Sequence, residues 1–584
     1  MCGILLQFNP ASPLVTSEFE AALQLLTHRG PDHQGHQSLM NGQLMMGQTR
    51  LSFMDLSPNG HAPMSNAQQT LWAILNGEIY NYQELRKEWE HQYPFKSHSD
   101  TEILLAGYTL LGNDFLSKLK GMFAFALVDT QTNTILAARD RFGIKPLYFH
   151  HSTKGLALAS ELKPLHHLGL ASEIDPTSIA DYLTYRFIPS PKCIWQGIGK
   201  LEPGQVLTFN TQQNHPKFTS YWSLNYNPSS SSLTTIKDEF RDKLLTSIEQ
   251  HSRADVAIGG FQSAGMDSSA ISLGRHLLGE KIDTYSIGFD SWQNSEHGDA
   301  ALIAQQLEHR HHVRMVTDSD YDILQRMPIC YDEPIADISI LPTYLVSELA
   351  AKGNKAVMGG EGADELLGGY HWQHSWNMNQ ANAWNRWRYK PQQLKNHYID
   401  SMSMGLFDNQ ELYAAAGNSL IQYIQDDPFW FYQQHLRSDI PSQKALQWLD
   451  IRSFMGELVL TKIDRASMAH SLEVRVPFLD HELVEFLFNL PTSVIWKKGQ
   501  QKPLLQSFLS PHVPAHLYNR PKQGFVGPDP FYMNKDLYRN GLKNSLLVQQ
   551  GWIKADYIEQ QLNQDYNWKL WKLLILENWL KHWT

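Results

Sequence analysis

The chain has little cysteine, a shortage of positive charge and no long apolar run. Its three cysteines, Cys2, Cys193 and Cys330, are odd in number and form no Cys-x-x-Cys pair. That excludes a disulfide framework and a zinc–thiolate site. Lys and Arg number 49 against 59 Asp and Glu, for a net charge of −10. A surface that holds nucleic-acid phosphates wants the opposite field, so no nucleic-acid partner is expected. No apolar stretch approaches the ~20 residues of a membrane helix. The longest, Gly121-Met122-Phe123-Ala124-Phe125-Ala126-Leu127-Val128, has the length of a buried strand. The first residues lack the basic and apolar regions of a secretory signal. These absences lead to the expectation of a cytoplasmic globular protein without a membrane partner. Apolar content of 42% with 18% charge is that of a folded chain, not a disordered one.

What is present falls into two patterns. Residues 1–210 read as short strands and turns, with buried strands at 70–75 and 121–128 and a third at 134–139 after a polar turn. Residues 211–232 read as a linker, since Asn225-Tyr226-Asn227-Pro228 and the serines that follow have no periodicity. Beyond it, Ile236, Phe240, Leu244 and Ile248 recur every four residues, with Thr235 and Asp238 as a helix start. Strands at 256–261, 283–289 and 356–358 then alternate with helices at 269–278, 300–307 and 341–351. That alternation predicts a doubly wound parallel sheet in residues 233–584. In the tail, Leu570, Leu573, Leu576, Leu580 and Trp583 mark one apolar face. The opposite face lacks the dense Lys and Arg of a membrane-surface helix, so a docked terminal helix is expected.

Cys2 is the first residue with chemistry to offer. Removal of Met1 would leave a thiol and a free α-amino group on one residue, a nucleophile with its own base. Asn76-Gly77-Glu78 follows the strand expected to end at Leu75. Asn-Gly is often a hairpin turn, but an amide and a glycine N–H can also receive an oxyanion. Arg50 could grip a carboxylate in two-pronged fashion, and Asp100 an ammonium. Several runs, among them Met1-Cys2-Gly3-Ile4, His28-Arg29-Gly30-Pro31-Asp32, Asn76-Gly77-Glu78-Ile79-Tyr80-Asn81 and Ser99-Asp100-Thr101-Glu102, carry a resemblance. So do Asp140-Arg141-Phe142-Gly143-Ile144-Lys145-Pro146 and Ala159-Ser160-Glu161-Leu162-Lys163. They resemble the glutamine amidotransferases with an N-terminal cysteine nucleophile. The resemblance implies an α+β antiparallel sandwich, Cys2 as nucleophile, Asn76 and Gly77 as oxyanion donors, and Arg50, Asn76, Glu78 and Asp100 as glutamine binders.

In the second half, Ser263-Ala264-Gly265-Met266-Asp267-Ser268-Ser269 lies between an expected strand and helix. N–H groups in such a turn cradle anions. No Gly-Lys-Ser/Thr follows, so this is not a Walker loop. It resembles the pyrophosphate loop of ATP pyrophosphatases, Ser-Gly-Gly-x-Asp-Ser, with Ala264 departing from the pattern. Gly359-Gly360-Glu361-Gly362-Ala363-Asp364-Glu365, Asp332-Glu333-Pro334, Lys462-Ile463-Asp464-Arg465 and Leu472-Glu473-Val474-Arg475-Val476-Pro477 extend the likeness. Together they resemble the synthetase domain of the glutamine-hydrolysing asparagine synthetase family. Carried across, Asp267 and Asp364 would hold magnesium, and Ser263, Gly265, Asp267 and Ser268 would bind the pyrophosphate of ATP. Phe261, Ile287 and Gly360 would line the nucleotide, Glu361 would stand beside the reacting carboxylate, and Lys502 would meet the α-phosphate. Taken by itself Lys502 reads as a solvated lysine. His309-Arg310-His311-His312 has no third ligand spaced for zinc and reads as surface and connector.

The resemblance implies a division of labour: one half releases ammonia from glutamine, the other uses ATP to convert a carboxylate to an acyl-adenylate, and a protein-lined path joins them. Aspartate is the default acceptor. Sugar acids and natural-product precursors are alternatives, as is a pseudo-synthetase in which Ala264 has disabled ATP use. A homodimer is compatible with this reading. Residues 371–450 contain no assignable motif and could help shape the acceptor pocket.

Overall fold

The computed structural model describes residues 2–289, 295–379, 389–497, 499–519, 524–527 and 529–584. The first half contains β1 (Cys2–Phe8), β2 (His33–Leu39), β3 (Leu44–Arg50), β4 (Met64–Ser65), β5 (Leu71–Ile79) and β6 (Gly121–Asp129). It continues with β7 (Thr134–Arg139), β8 (Tyr148–Ser152), β9 (Gly155–Ala159), β10 (Ile198–Lys200), β11 (Gln205–Asn210) and β12 (His215–Ser220). They form two six-stranded antiparallel sheets, ordered β10-β8-β9-β1-β3-β2 and β12-β11-β7-β6-β5-β4. Side chains alternate across each strand. Ile4, Leu6 and Phe8 of one sheet meet Trp72, Ile74, Ala124 and Ala126 of the other between the layers. Leu75, Phe123, Phe125 and Leu127 face the opposite way and pack with Ile103 and Leu104 of the helix Thr101–Leu111. With both faces covered, β6 reads as a continuous apolar run rather than an alternation.

The second half holds β13 (Ile258–Phe261), β14 (Asp283–Phe289), β15 (Arg310–Val316), β16 (Ala356–Met358) and β17 (Glu473–Arg475). They make one parallel sheet ordered β15-β14-β13-β16-β17. Strand order reverses between β13 and β16, and a crevice opens at the carboxyl ends of strands at such a reversal. The tail helix Trp568–Trp583 buries Leu570, Trp571, Leu573, Leu576, Trp579 and Leu580. Trp579 lies against Trp195 of the first half, ring centroids 5.3 Å apart, so the terminal helix is core and ties the halves together. Among the described residues no helix is long and apolar enough to cross a membrane.

Several expectations are corrected. The strand expected to stop at residue 75 runs on to Ile79, because Asn76, Gly77, Glu78 and Ile79 pair in register with Ala124, Phe123, Met122 and Gly121. β12 lies inside residues 211–232, and its pairing with β11 carries the antiparallel sheet to Ser220. The helix expected from Thr235 begins at Leu233, because Ser232 caps it by accepting from the Thr235 N–H. The helix expected from residue 269 begins at Met266, which puts Asp267 in its first turn. His309 is buried rather than superficial, with Nε2 2.9 Å from the Ser272 carbonyl, and Arg310, His311 and His312 belong to the edge strand β15. Of residues 371–450, 380–388 lie outside the described residues.

Candidate active sites

The first site forms where β1, β3 and β5 run side by side. Cys2 pairs directly with Arg50 across β1 and β3, and its nitrogen donates to Asn76 Oδ1 at 3.2 Å. The Asn76 carboxamide is therefore turned with its oxygen toward the cysteine backbone. Its Nδ2 is buried and, among the described residues, has no hydrogen-bond partner. An orphaned buried donor is costly unless a ligand completes it. Gly77 has φ +145°, and a Cβ there would fall 2.0 Å from the Met122 carbonyl oxygen, so no other residue fits. Arg50 is nearly buried and is aimed by donating to the Met54 and Asp55 carbonyls at 2.6 and 3.0 Å. Asp100 accepts from the Ile79 N–H at 2.9 Å, and Glu78 lies 3.7 Å from Arg475.

Burial dominates the electrostatics. It pushes the Cys2 thiol up, against the pull of the amino-terminal charge, the Leu51 N–H and Arg50. It also raises Asp100, and it raises Glu78 well above the usual carboxylate range, where Asp100 and Glu473 add to the effect. Two buried acids, Asp100 within the field of Arg50 and Glu78 within that of Arg475, suit a zwitterion: an incoming ammonium would favour their charged forms. All six residues expected here are brought together.

The second site lies in the crevice between β13 and β16. The loop Gln262-Ser263-Ala264-Gly265 enters the helix Met266–Leu277, whose N-cap Gly265 has no side-chain cap. Ser268 Oγ accepts from the Ser263 N–H at 3.0 Å, and Ser263 Oγ accepts from the Gly265 N–H at 3.1 Å. The hydroxyls thus brace a helix end whose N–H groups and dipole favour an anion. Ala264 is fully buried and its φ is not positive, so the loop shape does not require glycine there. After β16, Gly359-Gly360 turns toward the helix Ala363–Leu367. A Cβ on Gly360 would lie 2.8 Å from Asp267 Cβ, so this glycine allows the two loops to touch. Lys502 is buried, contrary to its reading as a solvated lysine. It donates to Asp267 Oδ1 and lies 2.5 Å from Asp364 Oδ1. Two carboxylates from the first turns of separate helices thus converge on one cation position, an arrangement that fits a divalent ion of the hard, oxygen-liganded kind. All ten residues expected in this half line a single cavity of about 460 Å³.

The Asparagine synthase family model matches residues 239–581, and the Glutamine amidotransferase domain model matches residues 1–222. The chain belongs to the asparagine synthase family. It is 31% identical to asparagine synthetase [glutamine-hydrolyzing] 1 of Bacillus subtilis, covering 99% of this chain and 96% of the relative. It is 32% identical to a putative asparagine synthetase [glutamine-hydrolyzing] of Mycobacterium tuberculosis, over 90% of this chain and 88% of that one. It is also 27% identical to the amidase chry2 of Gibberella zeae, over 95% and 91%. The family is one of ATP-using, glutamine-dependent carbon–nitrogen ligases, and this chain is such an enzyme.

The two halves are joined by a buried ionic lattice whose members stood in the sequence motifs without a role. Arg29 Nε donates to the Cys2 carbonyl at 3.1 Å. The same guanidinium donates to Glu161 at 2.7 Å and to Asp464 at 3.0 and 3.1 Å, so one residue spans both halves. Arg465 reaches Glu161 at 2.9 Å, and Asp332 accepts from the Leu162 N–H at 2.8 Å. Burial would raise the Glu161 carboxyl, but His28, Lys163 and Arg465 hold it well below the usual range. The only signal in the sequence was the place of these charged residues inside the motifs that carry the resemblance.

Proposed function

We propose that the chain is an amidotransferase that moves glutamine nitrogen onto an ATP-activated carboxylate, with aspartate as the default acceptor. The orphaned Nδ2 of Asn76, beside a Cys2 held in register with Arg50, carries the glutaminase half of the reading. Once Met1 is removed, the α-amino group of Cys2 takes the thiol proton and the thiolate attacks the glutamine side-chain carbonyl. Asn76 Nδ2 and the Gly77 N–H receive the oxyanion. Collapse expels ammonia and leaves a thioester, which water hydrolyses to glutamate. Arg50 holds the α-carboxylate, and Glu78 and Asp100 the α-ammonium.

In the other half, an acceptor carboxylate oxygen attacks the α-phosphorus of ATP and pyrophosphate leaves. Ser263, Gly265, Asp267 and Ser268 form the cradle for that leaving group, and Phe261, Ile287 and Gly360 line the nucleotide. Lys502 offsets charge at the α-phosphate. Asp267 and Asp364 would hold magnesium, which when bound neutralises charge on the phosphates. Ammonia then attacks the acyl-adenylate beside Glu361, AMP leaves and the amide forms. A protein-lined path between the two sites would keep ammonia from protonation in bulk water, and a single buried core cluster that runs through both halves supports this.

The experiment is pyrophosphate release with ATP and glutamine over a panel of carboxylates, aspartate first. Amide product matching pyrophosphate one for one is the expected result. Pyrophosphate release that needs no carboxylate, or none with any, would overturn the reading.

A further inference from the structure

Gln262 is buried between the end of β13 and the helix Met266–Leu277, directly ahead of the loop proposed to cradle pyrophosphate. A buried carboxamide is costly unless its oxygen and its nitrogen both find partners. Here both do. The Ser272 hydroxyl donates to Gln262 Oε1, and Gln262 Nε2 donates to the Ser263 carbonyl at 2.6 Å. A carbonyl only accepts, so the amino end of the carboxamide is the end that faces Ser263. Ser272 is itself held, with His309 Nε2 lying 2.9 Å from its carbonyl. The Gln262 N–H donates to the Tyr285 carbonyl at 2.9 Å, which ties its backbone to β14.

What this arrangement fixes is one peptide plane. The Ser263–Ala264 bond is trans, and a trans peptide carries its C=O and N–H on opposite sides. Ser268 Oγ also lies 3.2 Å from the Ser263 carbonyl, but its one proton is shared with the Gly265 carbonyl at 3.3 Å. Gln262 is the committed donor. With the Ser263 carbonyl held toward Gln262, the Ala264 N–H turns to the cavity, which Ala264 lines. Half a turn of this plane would put a carbonyl oxygen where the N–H now points. It would also drive φ at residue 264 from negative to positive, which an alanine methyl resists and glycine permits. Gln262 therefore opposes the flip at one end of the peptide and Ala264 at the other.

We infer that Gln262 is a positioning residue for pyrophosphate release: with Ala264 it locks the Ser263–Ala264 peptide so that the Ala264 N–H points at the leaving phosphates. This rests on the proposed pyrophosphate cradle and deepens it. An N–H already aimed at an anion stabilises it with no reorganisation as the bond to phosphorus breaks. The departure at Ala264 is then a working part of the loop, because alanine stiffens the orientation that Gln262 sets.

The test is calorimetric binding of pyrophosphate, ATP and adenosine, each with magnesium, to the full chain and its variants. Gln262→Met keeps the bulk and removes both the donor and the acceptor. It should weaken pyrophosphate and ATP by about tenfold, as loss of a hydrogen bond to a charged group does, and adenosine by less than about twofold. General loosening of the site would weaken all three ligands alike. Ser272→Ala frees the carboxamide to turn and should give the same pattern at a smaller size. Because the lock has two ends, Gln262→Met combined with Ala264→Gly should weaken pyrophosphate by more than the product of the single effects. Glutamine hydrolysis identifies the folded variants; if Gln262→Met does not fold, Ser272→Ala, alone and with Ala264→Gly, carries the comparison. Unchanged pyrophosphate affinity, equal losses for adenosine and pyrophosphate, or a double variant that merely multiplies the singles overturns the inference and leaves the cradle reading standing. A wild type that binds ATP no more tightly than adenosine and has no affinity for pyrophosphate overturns the cradle reading, and the inference with it.

Discussion

Replacing Ala264 by glycine tests whether the ATP half is live. The pattern that this loop resembles has glycine there, so a glycine variant either repairs a damaged cradle or merely loosens an intact one. Ala264 is fully buried and its φ is not positive, so glycine relieves no strain. Loss of the buried methyl costs about 0.8 kcal/mol, and the added freedom of the unfolded chain about 0.4–1 kcal/mol more. The variant should therefore be about 1–2 kcal/mol less stable, read as an earlier thermal or denaturant transition. The Gly265 N–H and the Ser263 and Ser268 hydroxyls remain in place, so the KM for ATP should move by less than about tenfold, or ~1.4 kcal/mol. Pyrophosphate release from both forms, with aspartate and then other carboxylates, supplies the assay. Turnover that appears only in Ala264→Gly, or a gain in stability, would refute the reasoning and mark the natural chain as a disabled synthetase.

Cys2→Ala should abolish glutamine hydrolysis yet leave amide formation from added ammonium salts; residual glutaminase would remove Cys2 from the mechanism. Asp364→Asn and Asp267→Asn each replace a carboxylate with a neutral oxygen. They should lower pyrophosphate release by about tenfold or more while sparing glutaminase, and wild-type release in both would count against the metal assignment. Burial drives His251 down to about 3, with Arg475 adding to the effect, so its folded pKa lies below the unfolded value. Its neutral form therefore contributes stability that is present above about pH 6.5 and is lost as the pH falls toward the folded value. His251→Gln should flatten the acid limb of the stability curve, and melts across that range that retain the full wild-type slope would exclude the residue.

The sequence by itself determined the features that local chemistry specifies. β7, β14, β16 and the tail helix lie where runs of strand and helix periodicity put them. Those signals depend on neighbours a few residues away, and each is complete within its own segment. The motifs also pointed to two chemistries in order along the chain, because a loop that cradles phosphate or a cysteine beside the amino terminus carries its meaning in its own residues. Tertiary structure decided what pairing and burial control. Asn76, Gly77 and Glu78 read as a turn after a strand, and only the ladder to β6 makes them strand residues. Lys502 read as solvated until two carboxylates arrived, one of them 235 residues away. Arg29 could not be placed between Cys2 and Asp464, nor Arg186 at the wall of the other half's cavity, from spacing along the chain. A charge finds its environment through partners brought from distant segments, and the free energy of burying it depends on those partners rather than on its sequence neighbours.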